Sequence, residues 1–444
     1  MSAPFGPFAL TLDDMTKQLR ASFAGFTDAR TGKNKSYTLV DAALSAFSVF
    51  FTQSPSFLEY QRSLEQTHGE NNARTLFGVH DIPSDNQIRA LLDATPPERL
   101  EPAYGFLLDA LDQAGVVESY RTLGGTLLVA LDGTEYFSSQ AVHCEHCSTR
   151  RHANGKVTYF HTALTPVLVK PGGDKVVPLA PEFVRPQDGM EKQDCELNAA
   201  KRWLGAHGAA LAARCATLLG DDLYCHEPFC RELLALGLGF ILVCKPDSHP
   251  TTYEWLEDLE RNGAVGMLAR TRWTGRRHEA DTYRWAQAVP LRDADDALLV
   301  NWCELVTTDD RGKVLYRNAF TTAGHVDGGN VAEVVAAGRS RWKVENENNN
   351  TLKTQGYHFE HNYGHGKQHL ASLLASLIIL AFLTHTVLDW MDDQYRLLRQ
   401  KLPRKRLFND IRTLTSYLCF QSWQGLMNFM AQSFEPLPAS PETG

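Results

Sequence analysis

Three short apolar runs limit what this chain can fold into: LLVAL at 127–131, TLL at 217–219 and GFILVCK at 239–245. None alternates with polar residues. A strand of that kind needs apolar cover on both faces, which helices on either side of a sheet supply. The first run ends in Asp132, followed by Gly133-Thr134, and the second leads into Asp221-Asp222. Each strand is therefore expected to be buried with its carboxylate at the mouth. The expectation is a layered α/β core with acids at strand ends.

The pattern around these runs divides the chain. At roughly 150 residues per domain, 444 residues imply two to four units. Residues 1–118 read as helical from their apolar spacing and caps, with Ser36 before YTLVDAALSAFSVFF and Ser84 capping DNQIRALLDA. Residues 119–258 contain the stretches LLVALDGTEYF, YFHTALTPVLV and KVVPLAPEFV, each expected as a strand. A helix from about Asp194 to Leu218, with Asp194 as N-cap, then TLLGDDLY, a helix over PFCRELLALG and the strand GFILVCK complete this part. Residues 259–327 change to alternating segments, the last two joined at Asp309-Asp310-Arg311-Gly312, and read as a β-rich insertion. Residues 328–392 hold a helix running past Trp342, a His-rich stretch and an apolar helix, and 393–444 are basic and then Pro-rich.

Composition sets limits on function. Forty-four Lys and Arg against 52 Asp and Glu leave a net charge of −8, so DNA binding has to come from local patches. The nine cysteines and a start without the basic-then-apolar layout of a signal peptide point to a reducing cytoplasm. The apolar run Leu370 to Leu388 nearly matches a bilayer, but Ser372, Ser376, Thr384, His385 and Thr386 within it favour a buried helix and no membrane.

Phosphodiester chemistry with two divalent ions needs carboxylates brought together, because hard Mg²⁺ prefers oxygen ligands. Asp132 and the pair Asp221-Asp222 are candidates, although each also suits a turn or a helix cap. Glu345 is placed by helical arithmetic at about 100° per residue. With Val331 at zero, Val334, Val335, Trp342 and Leu352 define an inward stripe, and Glu345 falls inside it at about −40° while Glu347 falls opposite. A buried Glu calls for a metal or a partner, and Arg341 at i−4 is one such partner.

In order, VALDGT, LLGDDLY and RWKVENENNNTLK resemble the DDE transposases of bacterial insertion sequences, members of the retroviral-integrase superfamily. That resemblance covers roughly residues 120–390. It implies an RNase H-like mixed sheet with flanking helices, carrying an Asp on the first strand, an Asp after the fourth and a Glu on a later helix. It assigns Asp132, Asp221 and Glu345 as ligands of Mg²⁺ or Mn²⁺, with Asp222 at the family's Arg position. A subset of the family carries Tyr-x2-Arg-x3-Glu-x6-Lys; Arg341 and Glu345 match it, Gly338 stands at the Tyr position, and Lys353 follows one residue late as a phosphate contact. The implied activity is cleavage at transposon ends and 3′-OH strand transfer by a homodimer on DNA. A nuclease of the same fold without strand transfer and a catalytically silent DNA-binding descendant are the alternatives.

Other residues suggest further sites. Cys144-x2-Cys147, with His152, His161 and Cys195 downstream, suits a structural Zn²⁺, with Cys144, Cys147, His152 and Cys195 as the expected ligands, the alternative being plain reduced thiols. His358, His361, His365 and His369 read as polar or DNA-contacting groups, and Cys225 and Cys230 as packing residues. Arg276 and Arg277 beside Trp273, and Arg404, Lys405 and Arg406 in the basic C-terminal region, are candidate DNA contacts.

Overall fold

The structure, a computed structural model, describes residues 10–28, 30, 31, 35–58, 60, 67–189 and 192–434. The Pro-rich end lies outside the described residues. The chain starts as helices α1 (Leu12–Phe23), α2 (Leu39–Phe51), α3 (Thr67–Phe77), α4 (Asp85–Leu92) and α5 (Glu101–Gln113). Ser84 caps α4 as expected, through a box in which its hydroxyl accepts from Gln87 N and the Gln87 side chain accepts from Ser84 N. Thr38, not Ser36, caps α2.

Each of the three stretches expected as one strand is broken in two, and the halves enter different sheets. LLVALDGTEYF becomes β1 (Leu127–Ala130) and β2 (Gly133–Ser139); after β3 (Ser148–Arg151), YFHTALTPVLV becomes β4 (Val157–Leu164) and β5 (Val167–Val169). KVVPLAPEFV becomes β6 (Val177–Pro178) and β7 (Glu182–Phe183). Pro166 and Pro181 sit at two of these breaks, where a missing N–H interrupts the ladder. Strands β2, β4, β3 and β7 form a small antiparallel sheet, whereas β1, β5 and β6 join the main one.

The helix expected from Asp194 to Leu218 is α6 (Lys192–Ala213), so Asp194 lies inside it rather than capping it, and Ala216 to Leu219 belong instead to β8 (Ala216–Gly220). After α7 (Glu227–Ala235) come β9 (Gly239–Val243), α8 (Pro250–Arg261), β10 (Gly266–Trp273), β11 (His278–Pro290), β12 (Leu299–Asp309) and β13 (Val314–Thr322). The main sheet of the described residues has nine strands in the order β10-β11-β12-β13-β9-β8-β1-β5-β6. Within it β1, β8 and β9 run parallel, and the rest pair antiparallel. The fold is mixed α/β. The β-rich segment after residue 259 continues this sheet, because Phe320, Thr321 and Thr322 of β13 pair with Val243, Leu242 and Ile241 of β9.

Helix α9 (Val331–Arg339) lies close on that sheet: a Cβ at Gly338 would sit 2.7 Å from Phe320 Cδ1 and 3.0 Å from Ile241 Cγ2. No tyrosine fits there. After a short π-helical segment and α10 (Asn350–Thr354) the chain reaches α11 (Leu370–Met391), α12 (Asp393–Lys401), α13 (Arg404–Tyr417) and α14 (Trp423–Gln432). Helix α11 is long and apolar enough to cross a membrane, but 89% of its most apolar window is buried inside the protein. The N-terminal and C-terminal helices pack around it. Phe51 of α2 touches His385 of α11, Phe408 of α13 and Trp423 of α14, and the Trp423 indole N–H donates to Leu76 O at 2.7 Å.

Candidate active site

The break between β1 and β2 places Asp132 at the junction of the two sheets. Leu131 N–H still donates to Leu219 O of β8, while the Asp132 carbonyl accepts from Thr165 N at the β4–β5 break, at 2.9 Å. Its carboxylate accepts from Asn349 Nδ2 at 3.0 Å, and Asn349 Oδ1 accepts from the Thr165 hydroxyl at 2.8 Å and from Asn348 Nδ2 at 3.0 Å. Asp132 is thus held through its backbone at the junction of the sheets and through its carboxylate to the helical segment that carries Glu345.

Burial pushes the Asp132 carboxyl up to about 7; like charge from Glu345, Glu196 and Asp221 adds to this, and Arg341 opposes it. The three acids marked in the sequence therefore share one electrostatic neighbourhood. Asp221 also accepts from Leu223 N at 3.0 Å, at the start of a short 3₁₀ turn. Asp222 is used differently. It accepts from Lys245 N at 2.8 Å and from the Ser248 hydroxyl, and lies 3.4 Å from His249 Nε2. Burial would raise Asp222, but hydrogen bonds from His249, Ser248 and Lys245 hold it below the usual carboxylate range.

Glu345 reaches this neighbourhood by a route the helical arithmetic did not foresee. Helix α9 stops at Arg339; Arg341, Lys343 and Val344 make tight i−3 bonds, and Val344–Asn349 is then a π-helix. A tight turn followed by a wide one breaks the steady 100° phase. As a result Trp342 is exposed, Glu345 is about half exposed, and Lys343, Asn348 and Asn349 are buried. Glu345 pairs with Arg341 at 2.7 Å, as the i,i+4 spacing suggested.

Two members of the site were not singled out in the sequence. Glu196, 3% exposed on α6, rests against Gly133: a Cβ on that glycine would fall 2.5 Å from the Glu196 carboxyl carbon. Its signal was present, since Glu196, Ala200, Trp203, Leu204 and Leu211 follow helical spacing and all are buried. Tyr224 is buried among the same acids. Its phenol is pushed well above the ordinary range by burial and by Glu196, Asp221 and Asp132, and its hydroxyl has no hydrogen-bond partner among the described residues. A cavity of about 510 Å³ opens beside Gly133 and Glu196, with Glu135 and Arg150 in its wall.

The expected nucleic-acid contacts divide. Arg276 and Arg277 are exposed at the tip of the β10–β11 hairpin, beside an exposed Trp273. Lys405 and Arg406 are also exposed. Lys353 pairs with Glu360 at 2.8 Å. Arg404 is turned inward, against its expected role as a surface phosphate contact: its guanidinium lies over the Tyr357 and Phe382 rings, 5.5 and 5.4 Å from their centroids, and donates to the Tyr357 hydroxyl. Leu407, one turn on, is buried in the core on the same side of the helix.

Cys144 and Cys147 meet His161 and His365 rather than His152 and Cys195. His152 bonds the Thr158 hydroxyl at 2.8 Å on the far side of its hairpin, and the Cys195 thiol donates to Gly189 O at 3.1 Å. Cys225, expected only to pack, is buried next to Cys244 and His249, while Cys230 packs in the core. A scan against models of protein families and a search of curated proteins returned no match.

Proposed function

We propose that this protein is a DDE-type DNA transposase whose carboxylates Asp132, Asp221 and Glu345 hold two Mg²⁺ or Mn²⁺ ions. The observation that supports the reading is that Glu345, Glu196 and Asp221 each add like charge at the buried Asp132 carboxylate. Hard oxygen donors that repel one another suit divalent cations, which relieve the repulsion. An RNase H-like core is part of the proposal: in the main sheet Asp132 follows the first strand in chain order and Asp221 follows the fourth, β8, after β1, β5 and β6.

When bound, the ions supply an activated water for cleavage and charge stabilisation for the phosphoryl group passing to target DNA. The chain's own residues do the positioning. Asn349 orients the Asp132 carboxylate while Thr165 fixes Asn349, and Arg341 holds Glu345 in an ion pair. Binding of DNA by a homodimer in the cytoplasm uses local basic surface, chiefly the Arg276 and Arg277 hairpin with Trp273 for stacking, and Lys405 with Arg406.

The test uses a donor plasmid carrying the DNA that flanks this gene, purified protein and Mg²⁺. Cleavage at the ends with 3′-OH joining into a second plasmid is expected. Asp132→Ala, Asp221→Ala and Glu345→Ala each abolish cleavage and keep binding of the ends. A fully active Asp132→Ala protein overturns the assignment, and cleavage without joining reduces it to a nuclease.

A further inference from the structure

Four side chains from three separate stretches of chain converge on the small sheet, with Cys147 in the wall of the cavity that Glu196 also lines. Cys144 and Cys147 lie in the loop between β2 and β3, His161 in the middle of β4, and His365 in the loop that leads to α11. Their ligating atoms all lie within 4.8 Å of one another. We propose that they form a structural Zn²⁺ site, with Cys144 Sγ, Cys147 Sγ, His161 Nε2 and His365 Nε2 as its four ligands.

The distances are those a tetrahedral zinc imposes. Zn–S and Zn–N bonds of ordinary length give edges of about 3.8 Å between two sulfurs and about 3.5 Å between sulfur and nitrogen. The observed separations are 3.9 Å for Cys144 Sγ to Cys147 Sγ, 3.6 and 3.4 Å from these sulfurs to His161 Nε2, and 3.5 Å from Cys147 Sγ to His365 Nε2. The C-x2-C turn is shaped for this, with Cys147 N–H donating to Cys144 O and Cys144 N–H to Cys147 Sγ at 3.4 Å. Cys147, His161 and His365 are each less than a tenth exposed, and aromatic rings hold the imidazoles, Tyr136 stacking on His161 and Phe137 packing at 4.3 Å on His365.

The site has a mechanical role. Strand β2 leaves directly from Asp132, β4 ends at Leu164 just before Thr165, and His365 follows the segment that carries Asn349. Zinc therefore cross-links the small sheet to the same stretch of chain that Asn349 and Thr165 join on the other side of β2. The ion acts as a second tether that keeps the Asp132 junction from opening. The other histidines of the His-rich stretch stay outside the ligand set; His369 instead stacks on His146.

The experiment measures metal in the full chain, purified with reductant and without added metal. One zinc per chain is expected by elemental analysis, lost in the double variant Cys144→Ser with Cys147→Ser and in His365→Ala, and kept in His152→Ala and in Cys195→Ser. If the double variant fails to fold, wild-type protein is stripped by a chelator and titrated with Co²⁺. Ligand-field bands of tetrahedral cobalt with a thiolate charge-transfer band support the site. Three outcomes overturn it: no stoichiometric zinc and no thiolate–cobalt band, zinc lost equally from His152→Ala, or a Cys144–Cys147 disulfide in the purified protein. The readout involves no DNA, so its failure leaves the carboxylate proposal standing, and the reverse holds.

Discussion

Replacing Asp132 by asparagine tests the charge cluster at its centre. The side-chain carbonyl of the substituted amide can still accept from Asn349 Nδ2, so shape and hydrogen bond survive while one negative charge goes. The folded protein holds the Asp132 proton up to about pH 7, against an ordinary 3.8. A folded-state value above the unfolded one favours folding at pH below about 4, and that benefit is lost as pH rises to about 7; above that the metal-free protein carries an uncompensated charge. If the site were dry, a displacement of this size would amount to about 4 kcal/mol. Half-exposed Glu345 leaves the site open to solvent, whose screening reduces this to about 2 kcal/mol. For a chain of this length that is a melting shift of about 2 °C. In thermal melts with EDTA at pH 8, Asp132→Asn should melt above wild type by that amount, and at pH 4.5 most of the difference should vanish. Mg²⁺ at about a hundred times its Kd should stabilise wild type by about 2.7 kcal/mol and the variant far less. A variant no more stable than wild type at pH 8, or one that responds equally to Mg²⁺, would refute the reasoning.

Other residues give separate tests. Asn349→Ala removes the bond to Asp132 and the acceptor of Thr165, so urea unfolding should report a loss of about 1–2 kcal/mol, and cleavage should fall in kcat with DNA affinity unchanged. Gly133→Ala drives a methyl group into the Glu196 carboxylate and should destabilise by about 1–3 kcal/mol in the same assay. Arg404→Ala should lower the urea midpoint by about 2 kcal/mol worth of stability through the lost ring contacts, whereas Lys405→Ala with Arg406→Ala should leave it unchanged. Arg276→Ala with Arg277→Ala should reduce the slope of log binding constant against log salt by about 2 in a fluorescence titration with DNA.

Much of this protein could be read from its residues alone. Unbroken apolar runs become buried strands whatever surrounds them, because their side chains have no polar face to show water; hence β1, β8 and β9, and the acids that end two of them. Local signals such as the Ser84 box, the Asp309 to Gly312 turn and the Arg341–Glu345 pair were legible for the same reason, since each depends only on near neighbours. Only the tertiary structure decided the rest. Whether LLVALDGTEYF is one strand or two depends on which partners its halves find, and it is that bend which turns Asp132 towards Asn349 and Thr165. Tight i−3 bonds after α9, followed by the π-helical segment, break the helical phase, so no periodicity could place Glu345 or bring Asn349 inward. His365 stands 218 residues from Cys147, and Arg404 looks like any surface cation until Tyr357 and Phe382 fold against it. Sequence determines what each segment must hide from water, but only the assembled chain determines which distant groups are then left facing one another.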